Sequence, residues 1–222
     1  MIVKNWLKRL FKPWITKQFH RYWYYSHIWE EHTYMGYNVK QLPFDLMLYQ
    51  EIIFDRRPSY IVQTGVSLGG SIIFFAHILD AMQADSSAVV VGIDIKLTPE
   101  ARTISHPRIH LIEGSSVDNQ TIQAVENLLP NHNGMVSLDS DHSFEHVRQE
   151  LQLYQQFVGL NQFLVAEDTN LNNHPVNSLF GPGPYEAVVE FLKTTDKFVQ
   201  DDLWKKNMFS FHQYGWLRRV SE

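Results

Sequence analysis

The feature that most constrains this chain is a recurrence: a short apolar run, a break, a helical stretch, then another apolar run. Residues 60–64, 88–95 (AVVVGIDI), 109–112, 134–139 and 162–167 are mostly apolar and short, the pattern of strands buried on both faces. Helical patterns lie between and around them at 42–55 (opened by Pro43, stopped at Pro58), 71–82, 121–129, 143–158 and 186–194. Strands alternating with helices predict an α/β fold with a mostly parallel sheet and helices on both faces. Residues 170–184, rich in Asn, Pro and Gly, predict a loop. Aromatic-rich stretches near 196–201 and 207–214 predict two closing strands. A length of 222 residues with 44% hydrophobic content suits one such domain with an appendage.

In sheets of this kind ligands bind beyond the carboxyl ends of the strands, and the chemistry-bearing residues collect there. QTGVSLGGS (63–71) follows the first strand, and its Gly65, Gly69 and Gly70 let backbone N–H groups approach a ligand closely. Asp94 ends the second strand and can accept hydrogen bonds from a ribose diol. The G-x-x-x-G-G spacing is neither the dinucleotide G-x-G-x-x-G nor a P-loop. S-adenosylmethionine (SAM) fits it better than NAD, with GSSVD (114–118) after the third strand at the adenine. A turn needed only for helix–strand packing is the alternative.

SLDSDHSFEH (137–146) follows the fourth strand, and Glu167 and Asp168 end the fifth. Neighbouring strand ends bring Asp139 and Asp141 toward Glu167 and Asp168, and packed carboxylates repel unless a cation neutralises them. With no Cys in the chain, a metal must bind through oxygen or imidazole, and oxygen ligands suit Mg²⁺, Mn²⁺ or Ca²⁺. Asp141 or Ser140 as a mere cap of the following helix is the alternative, and Asn170 is a further oxygen donor. His142 is placed as a general base, and His146 reads as a structural histidine. His142–His146 also matches the zinc-peptidase signature H-x-x-E-H, but it sits at a strand–helix junction behind two acids, where that motif is out of place.

A net charge of −5 argues against a general nucleic-acid binder. No apolar run is long enough to span a bilayer, and no secretory pattern opens the chain, so a cytoplasmic location is expected. The first 29 residues hold six Lys/Arg, no acid and many aromatics. Their helical apolar spacing over 6–15 is broken by Pro13. Residues 1–32 therefore read as an extension that packs on the domain or on a second subunit, assisting assembly or covering the active site, and a homo-oligomer is expected. An interfacial membrane helix is the alternative, which leaves peripheral membrane contact open.

Seven stretches carry a family likeness: YMGYNVKQLPFDLMLYQEII, TGVSLGGS, GIDI, HPRIHLIEGSSVD, VSLDSDHSFEHVRQELQLY, VAEDTNLNNHPV and GPGPYEAVVEFL. In this order they resemble the cephalosporin hydroxylase family, which despite its name is similar to rhamnosyl and macrolide-sugar O-methyltransferases. The likeness runs from about residue 20 to 219. It implies a Rossmann-like class I methyltransferase sheet over 33–222, SAM binding, and Mg²⁺-dependent methyl transfer to a hydroxyl of a small molecule or glycosyl group. By position, Gly65, Gly69, Gly70 and Ser71 resemble the methionine-side loop, Asp94 the ribose acid, and Ser115, Ser116 and Asp118 the adenine neighbours. Asp139 (or Asp141), Glu167 and Asp168 resemble the metal ligands, and His142 the base. The acid usual two residues before the first glycine is Gln63 here, a neutral amide that still bonds the cofactor but without charge assistance. Two rival readings are a non-haem hydroxylase and a non-catalytic SAM-fold binding protein. The first needs two His and a carboxylate, and no H-x-D or H-x-E occurs.

Overall fold

A computed structural model describes the backbone of residues 2–222 and the side chains of residues 11–222. In chain order the regular elements are α1 (Ile2–Tyr25), a hairpin of β1 (Thr33–Tyr34) and β2 (Tyr37–Asn38), α2 (Pro43–Arg56), β3 (Tyr60–Thr64), α3 (Gly70–Ala81), β4 (Val89–Asp94), β5 (Ile109–Glu113), α4 (Asn119–Glu126), β6 (Gly134–Leu138), α5 (Phe144–Tyr154), β7 (Phe163–Ala166), α6 (Pro184–Thr194), β8 (Phe198–Gln200) and β9 (Trp216–Arg219). The main sheet runs β5-β4-β3-β6-β7-β9-β8. Its first five strands pair in parallel, and β9 runs antiparallel between β7 and β8.

Alternate residues of the sheet serve opposite faces. On β3, Ile61 packs into a core with Leu48, Ile52, Phe75 and Leu79 of α2 and α3. Tyr60 and Val62 pack into a second core with Val125, Val147, Leu151 and Phe191 of α4, α5 and α6. Every residue of β3 and β6 is buried, so both faces are covered as the apolar runs predict. The polar residues Gln63 and Ser137 within these strands are therefore exceptions that need partners.

The strand order reverses at β3, and the in-register pairing of Thr64 with Leu138 sets Gly65 against Asp139. The Asp139 N–H donates to the Thr64 carbonyl at 3.0 Å. Gly65 has φ +78°, and a Cβ there would stand 1.9 Å from the Asp139 carbonyl oxygen. Only glycine lets the two strand ends close to this distance. Gly65→Ala is expected to destabilise the fold by about 1–3 kcal/mol or more, read as a lower midpoint in urea unfolding. An unchanged midpoint would mean that the turn has room to relax.

Three features differ from expectation. The helix runs through Pro13 instead of breaking there: a proline removes one backbone donor but does not forbid the turns on either side. The aromatic stretch 207–214 is not a strand. Phe209 and Phe211 turn inward with Leu42 to meet Trp23, Tyr24 and Trp29, and the closing strand lies further on at Trp216–Arg219. The hairpin at 33–38 was not apparent from its short, mixed sequence. The loop at 170–183 is pinned from α6, where Glu186 accepts hydrogen bonds from the Gly183 N–H and the Asn172 amide and pairs with His174.

Candidate active site

The carboxyl ends of β3 to β7 open into two adjoining cavities of about 610 and 280 Å³, which share Gly65, Ser67, Asp139 and Ser140. The larger is walled by Asp94, Lys96, Ser115, Ser116 and His146. The smaller is walled by Gln63, Gly70, Ser71, His142, Asp168 and Trp29. Asp94 is fixed by its own turn: Oδ2 accepts the N–H groups of Val66 (2.9 Å) and Ser67 (3.0 Å), and Oδ1 that of Lys96 (3.0 Å). Gly69 takes φ +87° and opens α3 without lining either cavity. Asp118 is exposed at the start of α4, outside both.

Gln63 is buried at the smaller cavity. Its Nε2 donates to the Gly65 carbonyl and to Ser71 Oγ (2.9 Å), which leaves Oε1 buried with no partner. A buried acceptor without a donor is costly, so this oxygen fits a ligand that brings an N–H.

Across the same cavity, Asp139, His142 and Asp168 form a cluster in which one ligand atom from each lies within 4.8 Å of the others. His142 stands between the acids, with Nε2 3.7 Å from Asp139 and Nδ1 3.6 Å from Asp168. Asp168 has the left-handed backbone (φ 52°) that non-glycine residues rarely adopt. Such strain is held at functional sites when neighbours fix it, and here the Asp168 N–H donates to His212 Nδ1 at 2.9 Å. Desolvation, then the charges of Glu167, Asp168 and Glu150, push the Asp139 carboxyl well above the ordinary range. Asp168 is also raised, chiefly by desolvation, with His142 and His212 opposing. Two carboxylates that resist ionising together fit a hard divalent cation with oxygen ligands, and the imidazole stands beside them.

Glu167, expected among the metal ligands, instead faces the core behind the cluster. One oxygen accepts from Tyr49 OH (2.7 Å) and Ser137 Oγ, the other from Gln41, and His212 Nε2 lies at 3.2 Å. From there the Glu167 charge adds to the upward push on the Asp139 carboxyl. His212 is raised: burial alone would lower it, but the charges of Glu167, Asp45 and Asp168 outweigh that. Because Nδ1 accepts from Asp168, the neutral Nε2–H tautomer fits this geometry, and a second proton must break that bond. Asp141 lies outside the cluster and accepts the Ser143 N–H at 2.7 Å in the turn before α5, which has no side-chain cap. Asn170 is buried and pairs with His20. His146 is not one of a zinc pair: its Nε2 meets Ser116 Oγ at 3.0 Å and Glu150 at 3.5 Å in the larger cavity.

Tyr49, Gln41, His212 and Trp29 were not legible as site residues. Tyr49 lies within the helical pattern at 42–55 and His212 within the aromatic stretch 207–214, and nothing local marks either one. Ser137, a hydroxyl inside an apolar strand, was the one available signal.

The strand order, with its antiparallel closing strand, is the Rossmann-like sheet of the class I methyltransferase fold, with the site at its strand ends. A model of the family described as "Rhamnosyl O-methyltransferase/CmcI" matches residues 26–220. The rhamnosyl O-methyltransferase of Mycobacterium tuberculosis is 33% identical over 205 residues, covering 91% of this chain and 81% of that protein. That of Mycobacterium leprae is 33% identical over 202 residues, covering 89% and 86%. This chain belongs to the rhamnosyl O-methyltransferase/CmcI family, and it is an O-methyltransferase. Among solved structures, CmcI with Mg and SAM superposes with a TM-score of 0.67 at 22% identity, over 86% of this chain and 78% of CmcI. An O-methyltransferase from Bacillus cereus in complex with S-adenosylhomocysteine gives 0.57 at 13% identity, over 84% of each chain.

Proposed function

We propose that the chain moves the methyl group of SAM to a hydroxyl of a glycosyl acceptor, at a site that holds Mg²⁺ between Asp139 and Asp168 with His142 as base. The observation that carries this reading is the Asp139–His142–Asp168 cluster beside the Gly65 turn. The acceptor class is supported by the curated relatives, which are named for a rhamnosyl group.

SAM supplies a methyl on a positively charged sulfur, so the O–CH₃ bond forms as the S–CH₃ bond breaks and a neutral thioether leaves. The divalent cation supplies Lewis acidity that makes the acceptor hydroxyl easier to deprotonate. The remaining work falls to the chain. Asp94 would receive the ribose hydroxyls in the larger cavity, with Ser115 and Ser116 along its wall. The unpartnered Oε1 of Gln63 would accept from the methionine ammonium. His142 takes the hydroxyl proton on an imidazole nitrogen. Asp139 and Asp168 would hold the cation, and they flank that ring on two sides. Glu167 and His212 keep the two acids in place from behind. Alignment of oxygen, methyl and sulfur is the main contribution of the protein.

Incubation with methyl-labelled SAM, Mg²⁺ and a panel of glycosides tests the reading. Labelled glycoside and an equal yield of S-adenosylhomocysteine are expected, and label only on non-glycosidic hydroxyls would move the acceptor class to small molecules. Asp94→Ala is expected to weaken SAM binding roughly 10- to 100-fold in calorimetry, the worth of one charged hydrogen-bond partner. If neither SAM nor S-adenosylhomocysteine binds and NAD does, the cofactor assignment is wrong.

A further inference from the structure

The face of α1 turned away from the domain takes no part in methyl transfer. At 3.6 residues per turn, Phe11, Ile15 and Tyr22 fall within about 40° of one another around the helix, with Trp14 and Tyr25 beside them. His20 points the opposite way, buried, with its ring stacked on Phe211 at 5.5 Å. The five outward residues are 49–71% exposed. Lys12 lies along one edge of the stripe, and Lys17 and Arg21 along the other.

Single exposed apolar residues need no explanation, but a continuous stripe edged by cations does. An apolar stripe of Trp, Tyr, Phe and Ile with Lys and Arg at its borders is the composition of a helix lying in a lipid interface, its cations reaching out to the headgroups. Charge separates the candidate occupants. The first 29 residues carry six of the chain's 19 Lys/Arg and none of its 24 Asp/Glu, so they hold +6 and the rest of the chain −11. Pairing α1 with α1 of a second copy brings like charges together. An anionic surface attracts α1 and repels the rest of the chain, which also fixes the orientation. The stripe ends at the 170–183 loop: Tyr25 OH accepts the Asn177 N–H at 2.8 Å, and two residues on Leu179 is 95% exposed.

We propose that α1 docks the enzyme on an anionic lipid surface through Phe11, Trp14, Ile15 and Tyr22. The test is co-sedimentation of the full chain with vesicles of phosphatidylcholine and phosphatidylglycerol, against phosphatidylcholine alone. Binding to the mixed vesicles only, reversed by salt, is expected. The double variant Trp14→Ser, Ile15→Ser should partition at least roughly tenfold less. The chain has no Cys, so a polarity-sensitive dye on Tyr22→Cys gives a second readout in an otherwise unaltered helix. It should shift to the blue on mixed vesicles, and the same dye on Glu126→Cys, exposed on α4, should not. Absence of binding at low salt, equal binding by the double variant, or equal shifts at both dye positions would overturn the proposal. So would a dimer that the double variant dissolves while vesicles bind neither form, which would assign the stripe to a second copy.

Discussion

Replacing His142 with Ala is expected to lower turnover roughly 10²- to 10⁴-fold, the usual worth of a positioned general base, while leaving SAM affinity unchanged. The ring stands between two carboxylates at the mouth shared with the methionine-side turn, and no other imidazole reaches that position among the described residues. A neutral imidazole nitrogen has a lone pair to take the proton, whereas carboxylates committed to a cation are poor proton acceptors. His146→Ala should affect the chemical step far less, because His146 faces Ser116 in the other cavity. Single-turnover kinetics with labelled SAM separates the two effects. Full turnover in His142→Ala would hand the proton to a carboxylate or to solvent.

Chelation is expected to lower activity at least roughly 10²-fold, with Mg²⁺ restoring it, and Asp139→Asn is expected to match the chelated enzyme even with Mg²⁺ present. The pKa directions give this a pH signature. Asp139 and Asp168 are raised in the fold, so above the ordinary carboxylate range the folded state holds more protons than the unfolded one. Stability of the metal-free protein should then fall as pH rises through the raised values. Mg²⁺ binding releases those protons, so the fall should vanish when the cation is present and its affinity should weaken toward acid pH. Thermal unfolding with EDTA and with Mg²⁺ across pH measures both. Parallel curves would remove the cation from the site.

The sheet was legible because its central strands are buried on both faces and read as short, mostly apolar runs, and the strand-end rule pointed to Gly65, Asp94, Asp139 and Asp168, which line the two adjoining cavities. The limits have physical causes. Glu167 and Asp168 are adjacent, yet their side chains diverge. The left-handed backbone at Asp168 turns one toward the cavity, and partners from α2, β6 and the C-terminal segment hold the other in the core. Nothing local signals that divergence, because the partners lie 30 to 126 residues away in sequence. The tail was misread for a similar reason: Phe209 and Phe211 are apolar in order to receive α1, a contact across nearly the whole chain, and their spacing imitates a strand.

The proposed reaction depends above all on a divalent cation held by Asp139 and Asp168. Electron paramagnetic resonance with Mn²⁺ as the probe tests it without needing the acceptor. Bound Mn²⁺ that Mg²⁺ displaces is expected, and it should be lost in both Asp139→Asn and Asp168→Asn while SAM still binds. Mn²⁺ binding that survives both substitutions, or its absence from the unaltered protein, would contradict it.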